Sequence, residues 1–265
     1  MRALKRWIRR WRAFRAAQPQ LNACRPHLER IFGGPVTWRH VGGRGRDVVC
    51  RVLRAGKTVG MLRVAHPDTP FSTPPSAGLP FVSLSADEKI EREWQAYAAG
   101  FPLGLAPEPL WRDAHALLCA YEDATSLKQA LDEGRALPLA LAAEALPSLA
   151  RLHAAGIAHM DMSLANILCD RAAARFLFVD FEYGPAAGLS FEQQCLYDYL
   201  RLLESVWKFL SPSERASASE AWGSVFLATA PEAVRSADPA PLWPALTRLS
   251  AAPELKSFFA ALAAR

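Results

Sequence analysis

LARLHAAGIAHMDMSLANIL at positions 149–168, followed by FLFVDFE at 176–182, carries the strongest signal in the sequence. It reads as an amphipathic helix, a tight loop carrying Asp161, and a hairpin over Ile167–Phe181. Asn166 lies five residues after Asp161, and Asp180 ends the second strand of the hairpin. A tight loop and a hairpin can bring these three oxygen-bearing side chains to one point, although they span twenty residues. One Asp in a loop is most often a turn former or a helix cap. The ordered set H-x-D-x-x-x-x-N plus a hydrophobic-D-F is far rarer by chance.

Phosphoryl transfer asks for such a set. A carboxylate must accept or orient the proton of an acceptor hydroxyl, and two further oxygen ligands must hold Mg²⁺ on the phosphates. The stretch resembles the protein-kinase-like superfamily, whose catalytic loop reads H-R-D-x-x-x-x-N and whose metal motif reads D-F-G. The resemblance runs from about residue 36 to about residue 205 and is most specific at this centre. It implies ATP as donor, Asp161 as catalytic base, and Asn166 and Asp180 as the Mg²⁺ ligands. His159 belongs to the same catalytic loop and is expected to support it through a backbone or carboxylate hydrogen bond. That is also the ordinary structural role of such a histidine.

Upstream, a turn around Gly33, Gly34 and Pro35 leads to three strand-like runs, Val36–Val41, Val48–Leu53 and Thr58–Val64. GGRGRD (42–47) and AGK (55–57) separate them, and both are Gly-bearing turns that predict an antiparallel meander. Residues 3–16 read as a helix. Residues 66–86, rich in Pro and Ser, read as a long flexible loop, and Ala86–Ala99 as a helix. Glu108–Trp111 and Ala116–Tyr121 read as short strands; beyond residue 125 everything but the hairpin reads as helical. A small sheet with one helix, followed by a mostly helical half, predicts an α+β fold in two lobes. With the resemblance this becomes a bilobal protein-kinase-like fold: a basic helix over 1–17, an N-lobe over 18–123 and a helical C-lobe over 124–265.

The resemblance assigns the N-lobe with one departure. Gly42, Gly43 and Gly45 match a phosphate-covering glycine loop, since backbone N–H groups approach phosphates only where side chains are absent; a plain hairpin turn would use the same glycines. The family's third strand carries a lysine on the α/β-phosphates, and here the matching position is Arg63, with Lys57 falling in the preceding turn. An arginine keeps the charge but not the compact shape of an ammonium. Its partner would be Glu93, which otherwise reads as an exposed helix carboxylate. The segment AYED (120–123) resembles the hinge whose backbone meets adenine, which places Tyr121 and Glu122 there.

The acceptor class is read from the residues downstream of the metal motif. Seventeen residues separate Asp180 from Asp198, and no A-P-E-like motif appears, which disfavours a peptide acceptor. Glu182 stands where D-F-G has its glycine, as in choline kinases and bacterial sugar and lipopolysaccharide kinases. YDYLRLL (197–203) resembles the next helix of lipopolysaccharide-core kinases, with Asp198 as a carboxylate supporting the catalytic loop.

The net charge of +5 is uneven: residues 1–15 hold seven basic side chains and no acidic one, leaving 24 Lys+Arg against 26 Asp+Glu. A nucleic-acid partner is therefore not expected. In residues 3–16, Leu4, Trp7, Ile8, Trp11 and Phe14 form one apolar stripe. Such a helix suits an anionic membrane surface, and it equally suits packing on the protein's own lobe. Five scattered cysteines without C-x-x-C spacing, no apolar run of spanning length and no signal-peptide pattern point to a cytoplasmic protein, or one peripheral on the inner membrane face. The expected function is an ATP- and Mg²⁺-dependent phosphotransferase acting on a hydroxyl of a lipopolysaccharide-core sugar or other glycolipid. The alternatives are a soluble small-metabolite kinase of the amino-alcohol or aminoglycoside type, and a pseudokinase scaffold.

Overall fold

A computed structural model of the chain describes residues 11–42, 47–65, 78–134, 137–170 and 173–263. The chain forms two compact units, one of Met1–Ser72, Leu84–Phe101 and Ala106–Asp123, the other of Thr73–Ser83, Pro102–Leu105 and Ala124–Arg265.

The first unit is built on a five-stranded antiparallel sheet. Its strands are β1 (Val36–Gly42), β2 (Asp47–Arg54), β3 (Lys57–Ala65), β5 (Pro109–Arg112) and β6 (Ala116–Ala120), in the order β1-β2-β3-β6-β5. Burial alternates along β2 with period two, so Val48, Cys50 and Val52 point to one face and Asp47, Val49 and Arg51 to the other. The apolar face is covered by helix α1 (Gln18–Phe32), to which the sequence reading assigns no element. Its Leu21, Cys24 and Leu28 recur at helical spacing and pack with Val36, Leu62, Val64 and Leu118. Gly33 ends the helix at φ 68°, the left-handed conformation that glycine adopts without strain. The end of α1 lies close on β3: a Cβ on Gly60 would meet Phe32 Cζ at 3.1 Å and Cys119 O at 3.1 Å.

Residues 11–16 are also helical and continue onto this core, with Ala13 and Ala17 buried and Phe14 stacked on His40 at 5.0 Å between ring centroids. The C-terminal end of the apolar stripe thus packs on the protein's own sheet, while Trp11 remains 45% exposed. Leu4, Trp7 and Ile8 fall outside the described residues, as do Gly43, Gly45 and residues 66–77 of the expected loop. On the sheet's other face lies α2 (Ala86–Gly100), started by a reciprocal cap between Ser85 and Glu88.

The second unit is mostly helical, with corrections to the sequence reading. Phe81–Ser83, expected in the long loop, is strand β4; it pairs antiparallel with β10 (Tyr183–Pro185). Ser126, expected as helix like Tyr183–Pro185, forms with Thr125 strand β7, which joins β8 (Ile167–Asp170) and β9 (Arg175–Phe178) in a three-stranded sheet. The hairpin's second strand ends at Phe178, two residues short of Asp180. Strands of two or three residues are too short for a period to register, and pairing with distant chain decides them. Helix α3 (Leu127–Asp132), α4 (Pro138–Glu144) and α5 (Leu146–Ala154) precede the loop that carries Asp161. Helix α6 (Phe191–Trp207) is the axis of the unit, capped by Ser190 and Gln193 and buried at Cys195 through Leu200. Helices α7 (Pro212–Thr229), α8 (Glu232–Arg235) and α9 (Pro253–Ala263) complete it, with Tyr199, Phe226 and Phe259 meeting edge to face. No helix among the described residues is long and apolar enough to cross a membrane.

Candidate active site

The loop after α5 is held by the side chains of α6. Asp198 is fully buried; its Oδ2 accepts from the backbone N–H of His159 at 2.6 Å and its Oδ1 from that of Met160 at 2.8 Å. His153 Nε2 lies 3.0 Å from the same Oδ2. Two turns along the helix, Ser205 Oγ accepts from the N–H of Leu164 at 3.2 Å. Met160 sits at φ 67°, unusual for a side chain with a Cβ, and its bond to Asp198 helps hold it there.

This clamp presents the next residue, Asp161. Asn166 Nδ2 donates to the backbone oxygen of Asp161 at 2.9 Å, which turns the amide oxygen of Asn166 outward from that bond. The loop is tied to the segment carrying Asp180 on both sides of one peptide unit. Val179 N–H donates to Asn166 O at 3.0 Å, and Val179 O accepts from His159 Nε2 at 2.9 Å. A carbonyl only accepts, so His159 carries its hydrogen on Nε2, and Nδ1 is the acceptor facing the N–H of Asp161 at 3.3 Å. The ring also packs on Phe181, 4.3 Å between centroids. Asp180 follows at φ 72°, with its carbonyl accepting from Glu182 N–H at 3.0 Å. His159, Asp161 and Asn166 are therefore one hydrogen-bonded assembly, joined through Val179 to the segment that carries Asp180.

Among the described residues no group of three or more His, Cys, Asp or Glu side chains is arranged to hold a metal by itself. Mg²⁺ on a nucleotide asks for less: one or two hard oxygen ligands, the rest coming from phosphate and water. Asn166 and Asp180 are of that type, so the donor set fits.

In the first unit Arg63 is held by two carboxylates. Its Nε lies 2.9 Å from Glu93 Oε2 on α2, and its Nη1 3.1 Å from Asp47 Oδ2 on β2. Glu93 is buried rather than exposed, and its Oε1 accepts from Tyr97 Oη at 2.5 Å. Burial and the neighbouring Glu93 raise the Tyr97 phenol, which keeps it the donor in that bond. Burial, with the Glu93 charge adding to it, pushes the Cys119 thiol to about 12. Lys57 is the exposed first residue of β3, opposite Arg54 at the far end from Arg63. Tyr121 and Glu122 follow β6, where Tyr121 N–H reaches Val59 O at 3.4 Å and the Arg51 guanidinium lies over the Tyr121 ring at 5.4 Å. Gly42 ends β1.

Two residues of these assemblies escaped the sequence reading. Asp47 closes the glycine separator, and the register Val49↔Arg63 puts it diagonally across from Arg63 on the same face. Arg201 follows Asp198 by three residues, one turn on along the same helix face, and its Nη2 lies 3.1 Å from Asp161 Oδ1. That i, i+3 spacing was the available signal.

The element order, the Arg63–Glu93 pair and the H-x-D-x-x-x-x-N loop bonded to a D-F segment are the features that the resemblance to the protein-kinase-like superfamily implies. Among solved structures the chain is similar to the Rio2 kinase of Chaetomium thermophilum in its ADP/Mg²⁺-phosphoaspartate complex. Identity is 16%, over 92% of this chain and 76% of that one, with a TM-score of 0.48. It is similar to the PknI kinase domain of Mycobacterium tuberculosis, at 17% identity, 84% and 95% coverage and a TM-score of 0.49. It is also similar to an ethanolamine kinase of Plasmodium vivax, at 11% identity, 78% and 72% coverage and a TM-score of 0.44. No protein-family profile and no curated protein matches the chain by sequence.

Proposed function

We propose that the chain is an ATP-dependent phosphotransferase that moves the γ-phosphoryl group onto an acceptor hydroxyl. The observation that carries the reading is the bonding of Asp161, Asn166 and the segment of Asp180 into one assembly, clamped from below by Asp198. Asp161 orients the acceptor hydroxyl and takes its proton. Asn166 and Asp180 would hold Mg²⁺, which when bound offsets the charge of the phosphates. Arg63, fixed by Glu93, stands for the cation at the α/β-phosphates; Gly42, Gly43 and Gly45 cover them, and the backbone at Tyr121 and Glu122 meets adenine. His159 fixes the loop.

The acceptor we propose is a sugar hydroxyl of the lipopolysaccharide core, met at the cytoplasmic membrane face. The short path from Asp180 to Asp198 supports an acceptor that is not a peptide: it is occupied by β10, paired to β4, and by the capped start of α6. The test is ADP release from Mg-ATP with lipopolysaccharide-core extract, amino-alcohols and peptide mixtures as acceptors, beside Asp161→Asn as control. Transfer to the core extract that disappears in the control is the expected result. Transfer to amino-alcohols alone would replace the acceptor, and wild-type turnover in the Asp161→Asn protein would overturn the reading as a whole.

A further inference from the structure

Phosphoryl transfer develops negative charge around the transferred group and needs the attacking oxygen held in line with it. Residues 152–170, the whole loop and its flanks, contain no lysine or arginine. The cation beside Asp161 comes instead from α6: Arg201 Nη2 to Asp161 Oδ1 at 3.1 Å, with the two side chains 28% and 22% exposed. Three side chains of α6 thus act on the loop from one face. Asp198 bonds its backbone at His159 and Met160, Arg201 bonds the carboxylate of Asp161, and Ser205 bonds the backbone at Leu164. The spacing 198, 201, 205 is that of adjacent turns on one helix face, and this stretch of α6 is deeply buried. A guanidinium rooted there is a fixed feature of the site, unlike an exposed pair that trades partners with water.

We propose that Arg201 is a positioning residue for the transfer step, which fixes the orientation of the Asp161 carboxylate and supplies the positive charge beside it. This rests on the reading of Asp161 as the base. The bond from Arg201 to one oxygen of the Asp161 carboxylate sets the plane of the group and hence the direction of its lone pairs. The guanidinium also offsets the Asp161 charge beside the transferred group, where negative charge develops during transfer. The Tyr197 phenol lies close enough to feel both charges, and Asp198 and His159 are the other titratable groups around Asp161 on α6 and the loop.

The experiment compares Mg-ATP turnover, read as ADP release with water and with lipopolysaccharide-core extract, in wild type, Asp161→Asn, Arg201→Gln and Arg201→Lys. Arg201→Gln is expected to lower kcat by about 10- to 100-fold with the KM for ATP nearly unchanged, as befits a misdirected group. Its acid limb should move up by about one pH unit, because the carboxylate loses a neighbouring cation. Arg201→Lys should recover part of the rate, keeping the charge and losing the planar fork. If Arg201→Gln shows wild-type kcat and an unmoved pH profile while Asp161→Asn is inactive, the inference fails and the reading of Asp161 stands. Should Asp161→Asn turn over like wild type, both fail. Where Arg201→Gln does not fold, Arg201→Lys carries the test: an unmoved rate and profile in that variant overturn the role.

Discussion

Replacing Asp198 with alanine is the sharpest test of how the loop is held. The carboxylate is fully buried and receives two backbone N–H groups, at 2.6 and 2.8 Å, with His153 Nε2 at 3.0 Å. Hydrogen bonds to a charged acceptor contribute about 1.5–3 kcal/mol each, and a buried donor left without a partner costs about 1–3 kcal/mol. These overlap, because the loop relaxes and water enters. A net loss of about 3–5 kcal/mol, the usual cost of removing one member of a buried charged cluster, is the working figure. With a urea slope of about 3 kcal/mol/M for a chain of this size, the unfolding midpoint should fall by about 1–1.7 M. Asp198→Asn should lose about half as much, since its amide nitrogen must face at least one N–H donor. Tryptophan fluorescence follows the unit directly through Trp207, Trp222 and Trp243. Released from Asp198, Met160 has less to hold it at φ 67°, so ADP release should fall even under conditions where the fold persists. A midpoint within about 0.3 M of wild type, together with full activity in Asp198→Ala, would refute the clamp.

Three further outcomes are expected. Arg63→Ala should raise the KM for Mg-ATP about tenfold or more and lower the thermal midpoint, because it strands the buried Glu93; Arg63→Lys should do less of both. Gly60→Ala should destabilise the first unit by about 1–2 kcal/mol without touching the candidate catalytic loop, since the new methyl meets Leu118, Cys119 O and Phe32 at 3.0–3.1 Å, and a thermal melt reads it. At pH 8 the native protein should react with a thiol reagent at Cys169 alone, the half-buried cysteine. Burial raises the thiols of Cys24, Cys50 and Cys119 to about 12 and that of Cys195 higher still; rapid reaction of four or five thiols before unfolding would contradict this.

The parts of the fold that the sequence made legible are those whose cause is local. The meander β1-β2-β3 could be read because glycine-bearing turns punctuate period-two runs, and the Ser85 cap of α2 stands in the chain beside the helix that it starts. Helix α1 is not legible because its buried Leu21, Cys24 and Leu28 are spread among polar residues, with Pro26 inside the helix. Its stability comes from the sheet beneath it. The strands β4, β7 and β10 owe their existence to partners far along the chain. In the candidate site, Asp161, Asn166 and Asp180 announce themselves by spacing, whereas the grip of Arg201 and Asp47 on their neighbours depends on which face of α6 and of β2 meets the loop and Arg63. A linear spacing constrains such a contact without choosing it.

The threading of the chain carries a consequence for how this protein is made. The helical unit begins at Ala124 in its main block, yet it also needs Phe81–Ser83 to pair with Tyr183–Pro185 and Leu105, whose carbonyl accepts from Phe178 N–H at 2.8 Å. Neither unit is a continuous piece of polypeptide. A fragment begun at residue 124 would leave the ribosome with the edge of β10 bare and Phe178 without its acceptor, and such edges recruit other chains. Expression of the isolated C-terminal half should therefore yield aggregates, whereas a fragment begun before residue 78 retains every segment that the helical unit borrows from upstream among the described residues.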